Sequence, residues 1–231
     1  MMKAAGNEKR ARRCFSLTLL AFLILLTFHL CLAQEVVDKT VATVNSGGSP
    51  ELITYSDLLW QIALEPDTPI ENPSSESLNR TLQLIINQRI IHQEAARLPT
   101  IAPTDEEINK AKNELGKHFP SVGELQKRME RVGLTDAQLR EIIRQRVEIE
   151  KYLDFRFRSF TIVTPKEVED YYAQVYVPRV KRQQPGRIVP KLEEARAEIE
   201  RTLTESKIES DIDAFLDAAR ERAEIVILNP V

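Results

Sequence analysis

The sequence predicts a mainly α fold, a helical bundle closed by a small antiparallel β-sheet that an N-terminal hairpin and a C-terminal strand build together. Three observations predict it. Helix start signals recur along the chain: Thr54, Thr104, Thr135 and Thr164 each have Asp, Glu or Gln three residues on, the spacing of a capping box. Apolar residues between those starts return at spacings of three and four, the period of a helix with one buried stripe. Strand-like runs rich in β-branched residues stand near Val41–Asn45 and at Glu224–Leu228, so each needs the other as a partner.

The first 33 residues read as a leader. Lys3, Lys9, Arg10, Arg12 and Arg13 form a basic start, Phe15 to Leu32 is almost wholly apolar, and Cys31-Leu32-Ala33 ends on a small residue suited to signal peptidase. The other reading of this stretch is an uncleaved inner-membrane anchor, since the apolar run approaches the ~20 residues that span a bilayer. Removal of the leader takes five of the 32 basic and one of the 35 acidic residues, leaving a chain of 198 residues near −7. That balance disfavours nucleic acid as a partner. Cys14 and Cys31 both lie in the leader, so the mature chain has no disulfide, thiol nucleophile or cysteine metal ligand.

Val41-Ala42-Thr43-Val44-Asn45, the turn Ser46–Pro50 and Leu52-Ile53 read as a hairpin. Thr54 caps a helix through Leu64, with Ile53 and Leu58 as a hydrophobic staple. Residues 65–75 carry three prolines and read as loop, and Leu78 to Leu98 as helix, with Leu82, Ile85, Ile86, Arg89 and Ile90 on one face. Thr104 starts a helix with Ile108, Ala111 and Leu115 inward. Ser121 starts the next, which Gly133 stops. Thr135 opens the longest amphipathic run, expected to stay helical to Phe160 with Leu139, Ile142, Ile143, Ile149, Leu153, Phe157 and Phe160 on its stripe. Thr164-Pro165 opens another helix, so the helical core spans 54–176. Residues 177–191, with three prolines and a glycine, are expected to be a flexible linker. Leu192 to Ala223 is a charge-rich helix that leads into the last strand, expected to pack back on the first.

The chain carries no pattern that needs a catalytic, cofactor or metal assignment. Of the histidines beyond the leader, His92 falls within a helix and His118 beside a turn, without an HxxxH spacing. GxGxxG, Walker and GxSxG motifs are absent. What stands out is aromatic and apolar residues in excess of what one helix can hide. Phe155, Phe157, Phe160, Tyr171 and Tyr172 crowd one stretch, with Phe119 and Met129 on other elements. Each reads first as core. Taken together they are the candidate surface for binding unfolded polypeptide, because adaptable apolar surface serves promiscuous recognition.

The order of these segments resembles the N-terminal domain of the SurA-type periplasmic chaperones. The matching residues are Val41-Ala42-Thr43-Val44-Asn45 leading to Thr54-Tyr55-Ser56-Asp57-Leu58, then Leu84-Ile85-Ile86-Asn87-Gln88-Arg89-Ile90-Ile91. Pro103-Thr104-Asp105-Glu106-Glu107-Ile108, Gly133-Leu134-Thr135 and Val163-Thr164-Pro165-Lys166-Glu167-Val168-Glu169-Asp170-Tyr171-Tyr172 continue the series. The likeness covers residues 36–176, with 192–228 similar to the family's C-terminal segment. In that family a parvulin-type prolyl isomerase domain usually follows the Pro-Lys-Glu-Val-Glu helix. Here the gap Val177–Lys191 is too short for one, and the paired histidines of such domains are missing. The resemblance thus implies an ATP-independent, non-enzymatic periplasmic holdase for outer-membrane and other secreted clients. Two alternatives remain open at this point: a helical adaptor docking one dedicated partner or itself through its amphipathic helices, and a residual prolyl isomerase.

Overall fold

The computed structural model describes residues 38–186 and 188–231. The expected leader lies outside the described residues, and among the described ones no helix is long and apolar enough to cross a membrane.

Strand β1 (Thr40–Asn45) is the middle strand of a three-stranded antiparallel sheet, flanked by β2 (Glu51–Thr54) and β3 (Glu224–Ile227). The two ends of the chain therefore pair, as the sequence predicts. Ala42 faces Ile53 on one side and Ile227 on the other, and Thr43 faces Leu52 and Val226. The register slips between Thr40 and Ala42, so Val41 sits in a bulge. Both Val41 and its neighbour Ala42 are fully buried, which strict strand alternation would forbid. The Val41 carbonyl then accepts the N–H groups of Leu228 (2.8 Å) and Asn229 (3.1 Å), extending the grip on the C-terminus beyond β3.

Helix α1 (Tyr55–Ala63) leaves the hairpin directly, and α2 (Ser75–Ala95), α3 (Asp105–Lys117), α4 (Val122–Arg131) and α5 (Asp136–Arg156) follow. Thr54, Thr104 and Thr135 all make reciprocal capping boxes, with Asp57, Glu107 and Gln138. Helix α2 begins about a turn before the predicted start, because Ser74 accepts the Ser77 N–H and so supplies an earlier cap. Ser121 caps α4 from one side only, accepting the Glu124 N–H at 3.2 Å. Gly133, at φ +65°, lets the Leu134 N–H turn back to the Met129 carbonyl and closes α4.

Two expectations are corrected downstream. Helix α5 ends at Arg156, a turn short of Phe160, and Arg158–Phe160 is a separate 3₁₀ turn. There the Ser159 hydroxyl donates to the Asp154 carbonyl (3.3 Å) and the Thr161 hydroxyl to that of Phe157 (2.9 Å), so side chains satisfy carbonyls at the end of α5. The expected linker is helical over its first half: α6 (Pro165–Tyr171) runs through a π turn (Tyr172–Tyr176) into α7 (Val177–Gln183). Pro178 has no N–H to donate, and the Val177 N–H reaches back to Tyr172. Widening the helix just before the proline is how the run continues past a residue that usually stops it. Helix α8 (Leu192–Arg222) then returns the chain to β3.

One core packs the sheet against α1, α2 and α8 through Val41, Val44, Ile53, Leu58, Ile86 and Ala219. A second joins α3, α4 and α5 through Ile108, Leu125, Met129, Leu139 and Ile143. Arg128 on α4 ties the two. Its guanidinium donates to the carbonyls of Ala63 (2.9 Å), Ile62 (3.0 Å), Glu65 (2.7 Å) and Thr68 (2.7 Å), the C-terminal end of α1 and the turn after it. Burial pushes the Arg128 pKa down, and the helix end supplies negative potential that offsets this.

Arg128→Ala strands those carbonyls, and chemical denaturation should show a loss of about 3 kcal/mol or more; a loss below about 1 kcal/mol would refute the tie. Acid provides a second check. The Thr104 N–H and then Lys151 hold the Glu107 carboxyl at about 2, and Lys207 and then the Thr164 N–H hold Glu167 at about 2, against the ordinary 4.5. A lowered folded-state pKa stabilises above the unfolded value, so this contribution is complete above pH 4.5 and drains away as pH falls toward 2. The Glu107→Gln, Glu167→Gln double variant should melt lower at neutral pH and show a shallower decline of Tm between pH 5 and 2.

Candidate functional site

The aromatic residues singled out in the sequence separate into three environments. Phe155 in the last turn of α5 and Phe157, the residue that caps its end, stand two positions apart, which at helical spacing is about 200° of rotation and puts them on opposite sides. Phe157 turns inward: its ring lies 5.7 Å from that of Phe215 on α8, and Tyr152 meets the same ring at 6.2 Å. The Arg156 guanidinium lies 4.9 Å from the Phe215 ring centre and 5.6 Å from that of Phe157. Phe155 turns outward at 53 % exposure, and beyond it Phe160 and Ile162 are 71 % and 75 % exposed.

These three apolar side chains occupy a turn that α8 holds in place. Arg158 donates to both Glu205 oxygens (2.8 and 3.3 Å) and to Asp154 (2.9 Å). Lys207 donates to the Ile162 carbonyl (2.8 Å) and pairs with Glu167 (2.7 Å). The bonds from Glu205, then Asp154, push the Arg158 pKa up, and Arg158 in turn holds the Glu205 carboxyl below its ordinary value. Solvent screens such exposed pairs, so individually they contribute little to stability. Their use here is geometric, since they fix where the exposed rings stand.

Tyr171 and Tyr172 belong elsewhere, half-buried in a cluster with Val168, Tyr176, Ala195 and Ile199. Tyr172 stacks on Tyr176 at 5.8 Å and donates its hydroxyl to the Pro190 carbonyl at 2.8 Å. Phe119 and Met129 are core, 5 % and 2 % exposed among Leu125, Leu139 and Ile143. Neither offers surface to a ligand, because the α3–α4 turn folds Phe119 onto α5. The structure therefore leaves Phe155 and Phe160 exposed on neighbouring turns, turns Phe157 inward onto Phe215, and places the other four in separate clusters.

The sequence reading missed Ile162, which adjoins this turn, and an apolar row on the outer face of the sheet. Leu52 and Val226, 56 % and 40 % exposed, lie across Thr43 from each other. Alternation along the strands is the signal that could have found it.

His92, expected to be a packing or surface residue, sits in a partly buried ionic network joining β2, α2 and α5. Its Nδ1 lies 3.7 Å from Glu51 and its Nε2 3.5 Å from Glu148, while Arg144 donates to Glu148 at 2.6 Å and Arg89 pairs with Glu51 at 3.3 Å. Burial alone would raise the Glu51 pKa, but His92, Gln93 and Arg89 outweigh it and the carboxyl lies below its ordinary value. His118 is exposed. Among the described residues no group of three or more His, Cys, Asp and Glu side chains is arranged to hold a metal ion.

Phe157→Ser should lower stability by about 1–3 kcal/mol, because it removes a ring packed on Phe215. Phe155→Ser should change it by less than about 0.5 kcal/mol. Equal Tm losses in the two variants would contradict this division into inner and outer rings.

Compared with known proteins, the chain matches no family model and no curated protein.

Proposed function

We propose that this protein is a non-enzymatic, ATP-independent holdase that binds unfolded polypeptide through exposed apolar side chains, working in the periplasm on secreted clients such as outer-membrane proteins. One observation carries the reading: Phe155, Phe160 and Ile162 are each more than half exposed, on a turn tied down by Arg158 and Lys207. Exposed aromatic surface costs solubility, and holding it in a defined place suits it to binding. A client segment loses conformational entropy when it is held, so a pre-positioned apolar surface lowers the total cost of capture. The surrounding charge, with acids in excess of bases in the chain, favours solubility of a complex with apolar cargo. The resemblance to SurA-type chaperones rests on the ordered set of segments and supports the same reading, as does the pairing of the two chain ends in one sheet.

A second reading, a helical adaptor for one folded partner, draws on the outer sheet face, where Leu52 and Val226 are exposed. The two readings differ in what the protein ignores. A holdase binds many denatured chains, whereas an adaptor forms a saturable complex with one folded protein.

Light scattering by a diluted, denatured outer-membrane β-barrel protein tests the first reading. The full chain should suppress aggregation at near-stoichiometric ratios without nucleotide. The Phe155→Ser, Phe160→Ser double variant should lose at least about half of that suppression while its Tm stays within a few degrees of the parent. Suppression unchanged in the variant would remove the turn as the binding surface. No suppression by the folded parent would remove the holdase reading.

A further inference from the structure

Helices α1, α2 and α5 enclose a small cleft whose walls carry two arginines. Arg146 on α5 donates one N–H to the Gln61 side-chain oxygen at 2.7 Å. Among the described residues no carboxylate lies within ion-pair distance of it, and burial pushes its pKa down against the more distant pull of Glu65. Arg89 on α2 shares its Nη1 between Gln145 (2.9 Å) and Glu51 (3.3 Å), and its Nε is buried without a hydrogen-bond partner. A guanidinium has five donors, so both groups keep capacity that the surrounding side chains leave unused. A partly buried cation with unmet donors is costly unless something answers it.

The one carboxylate lining the cleft, Asp57, is engaged at the start of α1, accepting the Thr54 N–H at 2.8 Å and its hydroxyl at 3.2 Å. Gln61, Gln88 and Gln145 supply the other polar lining, and Ile85 with Ile142 and Ile149, one turn before and one turn after Arg146 on α5, supplies the apolar part of the wall. The cavity measures about 40 Å³. A water needs ~10–15 Å³ by this measure, so the space takes a group of about three non-hydrogen atoms. A carboxylate has that size, and its planar pair of oxygens matches the fork of a guanidinium.

We propose that this cleft binds the carboxylate of an organic acid or of a peptide C terminus, held by Arg146 and Arg89, with the isoleucine wall against the first apolar atoms attached to it. The cavity admits the head group alone, and the rest of the ligand stays at the mouth. Gln61 and Gln145 are positioning residues: each accepts a hydrogen bond from one arginine and sets the direction of its free donors. The exposed turn at Phe155–Ile162 plays no part, so the cleft and the holdase surface stand or fall separately.

The test is an NMR titration of the full chain, reading the arginine Nε–H and backbone amide signals. Isovalerate, acetyl-Ala-Ala-Leu with a free carboxylate, and the same peptide as its amide are the probes. The free carboxylates should shift Arg89, Arg146, Gln61 and Gln145 signals saturably at millimolar concentration, and the amide should not. Binding of both acids supports a head-group site, of the peptide alone a chain-terminus site, and of isovalerate alone a small-acid site. Arg146→Gln, which keeps a polar side chain, should weaken binding by about tenfold or more. No saturable shift with either acid, equal shifts with the amide, or shifts confined to other parts of the chain would overturn the proposal. The comparison of acid with amide on the parent protein decides the matter even where the variant fails to fold.

Discussion

Strand β1 is paired along both edges, and the rest of the structure depends on that double pairing. A strand of six residues with a single partner is a hairpin, and an isolated hairpin is marginal in water. Adding β3 on the far edge makes a three-stranded sheet whose inner face, Val41, Ala42, Val44 and Ile53, is wholly buried. The partner strand arrives from more than 170 residues away, as the register of Asn45 with Glu224 shows. Everything between must return the chain to its own beginning, and α8 is the element that does so. The bulge at Val41 adds to the hold, since it lets one carbonyl take two N–H groups from the C-terminal tail.

Between those ends, local signals set where helices begin and long-range polar contacts set how they meet. A threonine cap with its acid or amide three residues on fixes the starts of α1, α3, α5 and α6 within one turn of chain. Several contacts between helices rely on arginines. Arg128 answers the carbonyls at the end of α1, Arg158 locks the turn after α5 to α8, and Arg89 and Arg146 join α2 and α1 to α5. The forked guanidinium reaches several acceptors from one position, which makes it suited to joining elements that meet at an angle. Where its donors are met, as at Arg128, it reads as a structural bond. Where one stays buried without a partner, as at the Nε of Arg89, it underlies the proposed carboxylate site.

The aromatic residues follow the same division between local and distant causes. Phe155 and Phe157 are indistinguishable by composition and two positions apart, yet one faces water and the other packs on Phe215. Helical rotation separates them, and the position of α8 decides which side is inside. The proposed binding surface is what remains when that packing is complete: side chains whose chain segment is held but whose rings have no neighbour to cover them. Phe119 and Met129 lie at the other extreme, buried with Leu125, Leu139 and Ile143.

By itself the sequence determined the starts of the threonine-capped helices, the hairpin and the two outlying strands, because caps, turn residues and β-branched runs act over a few neighbouring positions. It also determined the fold class, since two lone strand signals at opposite ends have only each other to pair with. The end of α5 at Arg156 and the continuation of helix across Pro178 escaped it. A side-chain hydroxyl taking a carbonyl at Thr161, or a π turn making room for a proline, is a choice among near-equal local conformations. Tertiary structure alone decided which apolar residues are buried and which donors are left unmet. Burial and hydrogen-bond satisfaction are properties of what lies opposite, and for Phe157, Arg128 and Arg146 what lies opposite comes from 58 or more residues away in the chain.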